Sequence, residues 1–512
     1  MAMTTKVYKK MQPEDVDWYQ LSVRQRMSPF PNYMSMKGIT KDMAEAFGKA
    51  YRRVLLFFKE NMLYAFMDRD DYEQMGNYAL EYLQQNPQFY HQMVELITKK
   101  GNEFVQWVQS ITAGDISQYT DQQLTEFHQE YEQRYRFIYS HYFTILAVER
   151  KLAEYLKEYL HQKVEDLALV EDYFSVLITE PRAQVAGKEN HAALKLAKKI
   201  VENEKWNSYF AAEDVQEVEQ KVKADQELNQ LFIEHEENYF WITRDYEDPV
   251  LTYNDFISRM TKMLKENPLQ ELAKKKAYLQ NVDKRIKNLE EKLSINKKYA
   301  QLFTAMREGI NLKELRKMYV SLTLYYYDAI IKEIAKRTFV SLKALRHIQT
   351  EELPQLFADQ QFADQLNQRI RLSVYYIEDG ECETFTGERA DQLFEKLCAV
   401  KDDVQELKGL PASPGTARGL VRIVMHPEEL HKVQPGDILV SGQIVPSFAP
   451  ALKLAVGLIC DGGTGITSHP AILAREAGIP AITSTNVATK VLKDGEIVEV
   501  DGNKGIVRRV NK

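Results

Sequence analysis

His469 stands between a glycine-rich stretch, residues 462–465, and a predicted helix at residues 470–477. The free N–H groups and the positive dipole end at the start of a helix favour an anion, and glycines let the backbone approach it closely. Thr467 and Ser468 place two hydroxyl groups next to the histidine. A neutral imidazole nitrogen is a good nucleophile near neutral pH. The arrangement is therefore suited to accepting a phosphoryl group and passing it on.

The position of His469 by itself leaves two interpretations open. A histidine at the start of a helix is more often a cap or a packed side chain than a nucleophile. Pro470 agrees with a helix start, because the missing N–H group of a proline is no loss in the first helical turn. Residue types and spacing therefore permit catalysis here without requiring it.

The surrounding motif resembles the active-site signature of the swivelling phosphohistidine domain in the phosphoenolpyruvate-utilising enzyme superfamily. That superfamily includes phosphoenolpyruvate synthase, pyruvate phosphate dikinase and rifampin phosphotransferase. The residues that match its pattern are Gly465, Thr467, Ser468, His469, Ala471, Ile472, Ala474, Arg475, Glu476, Gly478, Ile479, Pro480 and Ala481. Further similarity at residues 412–419, 436–440 and 494–505 extends the resemblance over most of the carboxy-terminal segment.

The resemblance implies roles for individual residues. His469 would be the phosphorylated residue, and Gly465, Thr467, Ser468 and Arg475 would position the phosphate. Arg475 could equally be a structural residue of the helix. The fold that the resemblance implies is a small α/β swivelling domain.

Two residues depart from the family pattern. Thr464 stands where the first glycine of the pattern usually lies, and Pro470 replaces the alanine that follows the histidine. Both departures affect the geometry of the loop more than the nucleophile. They keep open a second hypothesis, in which the protein is a non-catalytic binding or regulatory protein that retains a degenerate phosphohistidine domain.

The composition indicates a globular chain with more than one domain. Its 512 residues exceed the size of a single hydrophobic core, and 44% are hydrophobic and 28% charged. The net charge of -7 gives no electrostatic reason to expect nucleic acid as a partner. Because the sequence has no run of about 18 apolar residues and no secretory signal in residues 1–10, we expect a cytoplasmic protein with no membrane partner.

The chain has three cysteines, Cys382, Cys398 and Cys460. An odd and widely spaced set predicts neither a disulfide framework nor a thiolate metal site. We therefore expect no bound metal and interpret the cysteines as small buried residues.

The residue composition and the spacing of apolar residues change near residues 400–410. Helical spacing of apolar residues dominates before this point, for example at residues 44–67, 121–163 and 315–337, whereas glycines and short β-branched runs are frequent after it. The prediction is a multidomain chain, with a large mainly α-helical region at residues 1–404 and a small α/β domain at residues 405–512. The border is also the expected hinge of the swivelling domain.

Two groups of elements are predicted in detail. A seven-residue repeat of apolar residues at 272–293 predicts a long helix, which packs either in a helical hairpin within the domain or in an intermolecular coiled coil. The α/β domain is predicted to contain a helix at residues 470–477 and strands at residues 419–425, 437–440, 456–460, 481–483, 496–500 and 505–510.

The helical region also resembles superfamily members, more weakly than the carboxy-terminal segment does. His235, Trp241 and Arg244 lie in a stretch similar to one that precedes the phosphohistidine domain in synthase-like and rifampin-phosphotransferase-like proteins, and so does Arg307. The corresponding region of those proteins can bind the acceptor substrate. The resemblance therefore implies that these four residues bind a small-molecule acceptor, although a structural role for His235 is the simpler interpretation.

A phosphoryl donor site is the part that the sequence does not supply. An ATP-grasp domain would require glycine-rich strands and carboxylates for magnesium, and a phosphoenolpyruvate-binding barrel would require eight strand–helix units. Neither pattern is found in residues 1–404. We therefore expect one component of a split phosphotransferase, with no cofactor bound by this chain, and with ATP and Mg²⁺, or phosphoenolpyruvate, on a separate partner protein.

Overall fold

The computed structural model describes residues 12–25, 27–180, 185–212, 214–244, 249–359, 361–398, 405–444, 448–463 and 468–510. The chain divides into two compact units. The first comprises Met1–Tyr78, Thr120–Phe143 and Ile334–Lys512, and the second comprises Ala79–Tyr119 and Thr144–Glu333. The predicted boundary between residues 404 and 405, with its hinge, falls beside residues 399–404, which lie outside the described residues.

Most of the chain before residue 399 is helical, as predicted. Its α-helices are α1 (Pro29–Lys41), α2 (Met43–Phe47), α3 (Arg69–Gln85), α4 (Phe89–Thr112), α5 (Asp121–His161), α6 (Leu167–Leu177), α7 (Val185–Glu202), α8 (Glu204–Tyr209), α9 (Val215–Ala224), α10 (Gln226–Tyr239), α11 (Tyr253–Lys265), α12 (Pro268–Lys292), α13 (Lys297–Thr338), α14 (Leu342–Leu345), α15 (Leu353–Ala358), α16 (Phe362–Arg371) and α17 (Gly387–Cys398). Helices α5 and α13 confirm the predictions at residues 121–163 and 315–337.

An antiparallel sheet in the first unit was not predicted from the sequence. Its strands are β1 (Trp18–Gln25), β2 (Arg53–Lys59), β3 (Met62–Asp68), β4 (Leu372–Glu378) and β5 (Glu381–Phe385), in the order β1-β3-β2-β4-β5. The prediction of a helix over residues 44–67 is wrong, because only α2 is helical there and the rest forms β2 and β3. Every residue of β2 except Lys59 is buried, so the strand is a continuous apolar run that also satisfies helical spacing.

One hydrophobic core of the second unit lies among helices α7 to α11. Large apolar side chains from these helices are buried together, including Trp206, Phe210, Phe232 and Phe256. The long helix predicted at residues 272–293 is α12, and it packs on α6 and α7 of the same chain. This packing agrees with an arrangement within the domain.

The carboxy-terminal part of the first unit forms the predicted small α/β fold. Its helices are α18 (Ala449–Leu452), α19 (His469–Ala477) and α20 (Ala488–Val491). Its strands are β6 (Glu406–Lys408), β7 (Leu410–Ser413), β8 (Thr416–Ile423), β9 (Asp437–Ser441), β10 (Gly457–Cys460), β11 (Ala481–Thr483), β12 (Ile497–Asp501) and β13 (Ile506–Arg509). All six predicted strands and the predicted helix are confirmed to within a few residues, and β6 and β7 are additional.

The eight strands form one mixed sheet in the order β6-β13-β12-β8-β9-β10-β11-β7. The four central strands β8, β9, β10 and β11 are mutually parallel, and the outer pairs are antiparallel. Successive side chains of a strand point to opposite faces, and β9, β10 and β11 bury residues on both faces, whereas β8 buries only Val421. One face carries Leu439, Leu458 and Ala481 against α18 and α19, and the other carries neighbours such as Ile438 and Ile459 against α20.

Candidate functional site

Helix α19 begins at His469, at the edge where the parallel strands end. Strand β10 ends at Cys460 and leads through residues 461–463 toward this helix. Ligands of parallel α/β sheets bind at the carboxyl ends of the strands, where the loops converge. The backbone of His469 therefore occupies the edge at which such a fold places its chemistry.

Several predicted site residues are not among the described residues. Residues 464–467, which include Gly465 and Thr467, lie outside the described residues, and the side chain of His469 is likewise not described. The described part of the site consists of the residues on either side of this stretch.

Ser468 occupies the N-cap position of α19 but does not cap the helix with its side chain. A serine at this position usually accepts a hydrogen bond from the second or third N–H group of the helix. Here the second helical residue is Pro470, which has no N–H group to donate. The Ser468 hydroxyl is buried and has no hydrogen-bond partner among the described residues, so it remains available to a ligand.

Gly463 brings the loop backbone against the start of α19. Its φ of 89° lies in the left-handed region, which side chains other than glycine rarely adopt. A Cβ atom at Gly463 would lie 2.6 Å from Cγ of Pro470 and 3.1 Å from the hydroxyl oxygen of Ser468. Glycine is therefore required here for both reasons, and it keeps the space beside Ser468 open.

Gly462 ties the loop to the ends of the two neighbouring strands. Its N–H group donates to the carbonyl of Gly442 at 2.9 Å, immediately after β9, and its carbonyl accepts from the N–H group of Ser484 at 3.0 Å, immediately after β11. The loop before α19 is thus fixed across the edge of the sheet.

Asp461 fixes the same loop to the residues that follow β11. This residue was not identified from the sequence. Its side chain is buried and accepts hydrogen bonds from the hydroxyl of Thr485 at 2.7 Å, the N–H of Ala488 at 2.6 Å and the N–H of Thr489 at 3.0 Å. The hydroxyl of Thr489 donates to it as well. The sequence did contain a signal for this role, because Asp461 follows a buried strand and precedes two glycines.

Thr483 is a second residue that sequence reasoning missed. It is the last residue of β11 and is 1% exposed. Its hydroxyl is buried and has no hydrogen-bond partner among the described residues, like that of Ser468. A Cβ atom at Gly463 would lie 3.4 Å from Cβ of Thr483, so the two unpartnered hydroxyl-bearing side chains border the same glycine.

Arg475 lies on α19, and its side chain is half-buried. Its Nε donates to the carbonyl of Ala471 at 3.0 Å, one turn earlier in the helix. The side chain thus extends toward the amino end of α19, where an anion would bind. This position fits either of the two roles expected for Arg475.

The predicted acceptor-binding residues lie in the second unit, and the structure does not bring all four together. His235 is buried on α10, with its Nε2 3.3 Å from a carboxylate oxygen of Glu189. Arg244 is buried in an ion pair with Asp328 at 2.6 Å, and its guanidinium lies over the ring of Tyr325. These contacts give both residues structural partners within the unit.

Trp241 lines a small cavity of about 210 Å³, together with residues of α10 and α13. Its indole N–H donates to the carbonyl of Asn238 at 3.0 Å, so its ring is held in place. The other residues around this cavity are Lys188, Asn238, Tyr239, Asn311, Glu314, Leu315 and Met318.

Arg307 lines a separate, larger groove of about 520 Å³ between α12 and α13. Its guanidinium donates to the carbonyl of Leu177 and to the hydroxyl of Thr304. Burial lowers the pKa of Arg307, an effect that the carboxylates of Glu290, Glu180 and Asp283 oppose. The same groove carries two further cations, Lys287 and Lys297.

Other features of the described residues bear on binding and redox chemistry. The three cysteines are free, and burial raises the pKa of the Cys460 thiol to about 12, which makes it a poor nucleophile. Within the described ranges, no cluster of three or more His, Cys, Asp or Glu side chains is placed to hold a metal ion. No helix among the described residues is long and apolar enough to cross a membrane.

Comparison with known proteins identifies one family over the carboxy-terminal domain. Residues 433–505 match the family described as PEP-utilising enzyme, mobile domain. The matched region runs from the residues before β9 to those before β13. It therefore contains three of the four parallel strands, β9, β10 and β11, together with the glycine loop and α19.

Curated relatives are similar to a part of this chain. A probable phosphoenolpyruvate synthase from Archaeoglobus fulgidus is 54% identical over 101 residues, which are 20% of this chain and 13% of the relative. The phosphoenolpyruvate synthase of Aeropyrum pernix is 46% identical over 110 residues, or 21% of this chain and 13% of the relative. A probable phosphoenolpyruvate synthase from Pyrococcus abyssi is 42% identical over 138 residues, or 26% and 17%. The chain thus spans less than a fifth of the length of these relatives.

Proposed function

Because residues 433–505 belong to the mobile-domain family of the PEP-utilising enzymes, we propose that His469 carries a phosphoryl group between a donor and an acceptor. The observation that carries this proposal is the position of His469 as the first residue of α19, at the carboxyl edge of four parallel strands. The start of the helix has no side-chain cap, and two buried hydroxyls without described partners lie beside the loop that precedes it. Such a place stabilises added negative charge.

The reaction consists of two transfers. In the first, a neutral imidazole nitrogen of His469 bonds to phosphorus while the bond from phosphorus to the donor's leaving oxygen breaks. In the second, an oxygen atom of the acceptor attacks the same phosphorus, and the bond to the imidazole nitrogen breaks. The helix start and the hydroxyl groups bind the phosphoryl oxygens through both steps.

We propose that a second protein supplies the donor, either ATP with Mg²⁺ or phosphoenolpyruvate. Two observations support this division. The similarity to phosphoenolpyruvate synthases covers only 20–26% of this chain, and the strands described before residue 399 form an antiparallel sheet rather than a barrel of strand–helix units. The present chain then acts as the phosphohistidine component of a phosphotransferase.

We propose that the helical second unit holds the acceptor, a small molecule. The groove lined by Arg307 supports this role best among the described cavities, because it is the larger of the two and holds three cations that can bind a phosphorylated or carboxylate-bearing compound. Three carboxylates line the same groove, those of Glu180, Asp283 and Glu290, so the acceptor must also present polar groups to them. Trp241 lines a cavity less than half as large, and His235 and Arg244 are engaged in buried pairs.

A transfer experiment tests the proposed function. The chain is incubated with its candidate ATP-binding partner and with ATP labelled on either the β or the γ phosphorus, and the label on the chain is measured. The expected label is stable in base, labile in acid and lost in His469→Ala. Label that persists in His469→Ala, or wild-type chain that acquires no label from ATP or from labelled phosphoenolpyruvate, would contradict the proposal.

A further inference from the structure

We infer that Thr483 is a second phosphate-binding hydroxyl of the site, which donates a hydrogen bond to the phosphoryl group carried by His469. This inference rests on the proposed function and extends it to a residue outside the motif around the histidine. Three observations support it: the face of the sheet on which Thr483 lies, the lack of a described hydrogen-bond partner for its buried hydroxyl, and the residues that surround it.

The strand geometry directs Thr483 toward α19. Thr483 and Ala481 are two residues apart on β11 and therefore share a face of the sheet. Ala481 belongs to the buried cluster that includes Ala471 and Ala474 of α19. Thr483 thus lies on the side of the sheet that α19 covers, one residue pair closer to the carboxyl edge where that helix begins.

The Thr483 hydroxyl is exceptional among the hydroxyls around the loop. Those of Ser484, Thr485 and Thr489 each donate to an oxygen atom of residues 460–463. The hydroxyls of Thr483 and Ser468 are buried and have no such partner among the described residues. A buried hydroxyl without a partner destabilises the folded chain, so a site that retains two of them beside one glycine is arranged for a ligand that binds both.

The chemistry of the position selects an anionic oxygen as that ligand. A threonine hydroxyl donates one hydrogen bond, and the uncapped start of α19 adds N–H groups and a positive dipole end. Gly463 leaves free the volume between Ser468 and Thr483 that a side chain would fill. A phosphoryl group attached to His469 presents three oxygen atoms to these donors, and Thr483 would bind one of them. Thr483 makes no covalent bond and positions the group.

Chemical phosphorylation tests this role without the partner protein. Potassium phosphoramidate transfers its phosphoryl group to histidine as the bond from phosphorus to its own nitrogen breaks and ammonia leaves. The phosphorylated chain is freed of reagent, and the hydrolysis rate of phosphohistidine at position 469 is followed by peptide mass spectrometry. The variants are Thr483→Val, which keeps the shape, and Thr483→Ser, which keeps the hydroxyl.

Thr323→Val is the matched control. Thr323 is as deeply buried as Thr483, but it lies on α13 in the second unit and its hydroxyl donates to the carbonyl of Tyr319 at 2.7 Å. The control therefore removes a buried threonine hydroxyl that has a partner and belongs to the other unit of the chain. Urea unfolding of each unphosphorylated variant accompanies the rate measurement.

The inference predicts that Thr483→Val shortens the lifetime of phosphohistidine at position 469 about tenfold, as the loss of a hydrogen bond to a charged group would do. Thr483→Ser and Thr323→Val should keep the wild-type lifetime, and unphosphorylated Thr483→Val should be no less stable than wild type. An unchanged lifetime in Thr483→Val, or a lower stability of that variant before phosphorylation, would overturn the role of Thr483 alone. If phosphoramidate does not modify position 469 of the wild-type chain, the proposed function fails and this inference fails with it.

Discussion

Oδ1 of Asp461 accepts a hydrogen bond from the N–H group of Ala488 at 2.6 Å. This bond joins the loop that precedes His469 to the first residue of α20. The loop leads into α19, which packs on one face of the sheet, whereas α20 packs on the other face. The Asp461 carboxylate accepts from Thr485 and Thr489 as well, and only 3% of the residue is exposed. One buried carboxylate thus fixes the loop against the end of the next parallel strand.

Asp461→Asn is predicted to destabilise the first unit. The amide keeps one acceptor oxygen but turns an NH₂ group toward N–H or O–H donors, so at least two hydrogen bonds to a charged group are lost. The expected decrease in unfolding free energy is about 2–4 kcal/mol, measured by urea denaturation. Asp494→Asn is the control, because Asp494 is exposed and accepts one hydrogen bond, from the N–H of Ile423. Equal effects of the two substitutions would contradict the anchoring role of Asp461.

Gly463→Ala is predicted to abolish phosphorylation of His469 while the rest of the domain stays folded. The added Cβ would lie 2.6 Å from Pro470, so the start of α19 must move. Gly436→Ala is the matched control, because Gly436 has a similar φ of 92° but nothing within 4 Å of the added carbon. Both variants share the backbone strain, roughly 1–3 kcal/mol. Labelling of the two proteins with phosphoramidate separates the effect of backbone strain, which both share, from displacement of α19, which only Gly463→Ala should cause. Full labelling of Gly463→Ala would refute the proposed geometry.

The stability of the first unit is predicted to fall in mild acid, in part because of His128. Burial lowers the pKa of His128 to about 4, against about 6.5 in the unfolded chain. Between these values the unfolded state binds more protons than the folded state, so stability is fully present above about pH 6.5 and is lost as the pH falls to about 4. The loss expected from this one group is about 3 kcal/mol.

His128→Phe is the variant that isolates this effect, since it keeps a ring against Phe30, which lies 5.2 Å away between ring centroids. Urea denaturation of wild type and variant should give a smaller decrease for the variant between neutral pH and about pH 4. The same pH dependence in both proteins would mean that His128 is not responsible.

The groove beside Arg307 is predicted to influence the second transfer but not the first. Lys287 lines this groove, whereas Lys284, on the same helix α12 and also exposed, does not. Lys287→Ala should slow the discharge of the phosphorylated chain by a metabolite extract, roughly tenfold if Lys287 binds a charged group of the acceptor. Lys284→Ala should discharge at the wild-type rate. Identical discharge rates in the two variants would exclude Lys287 from acceptor binding.

The carboxy-terminal fold was predictable because its signals are local. Glycines such as Gly436 and Gly495 adopt positive φ at turns, and short β-branched runs between them are the strands. The helix start at His469 was displaced from the prediction by one residue only. Sequence spacing therefore sufficed to place the backbone of the candidate nucleophile.

The antiparallel sheet of the first unit escaped prediction in part because its two hairpins, β2–β3 and β4–β5, are distant from each other in sequence. Strand β2 pairs with β4, more than three hundred residues later, and its apolar run fits helical spacing as well as a buried strand. A local signal was nevertheless present, because Asp379-Gly380 has positive φ at both residues and forms the two-residue turn between β4 and β5.

Asp461 and Thr483 could not be assigned from the sequence for a different reason. Each lies at the end of a very short strand, and their importance depends on which strand ends are neighbours in the sheet. The order β9-β10-β11 places them around one loop. Only the fold shows that the side chain of Thr483 borders Gly463 and that Asp461 reaches Ala488.

The most direct test of the central claim is the modification state of His469 in the protein isolated from its own cells. The chain is purified under alkaline conditions, which preserve phosphohistidine, and its peptides are mapped by mass spectrometry without acid. The account predicts one phosphoryl group on the imidazole of His469 and its loss after brief acid treatment. A peptide containing His469 that is found unmodified in cells growing on every carbon source tested would contradict the account.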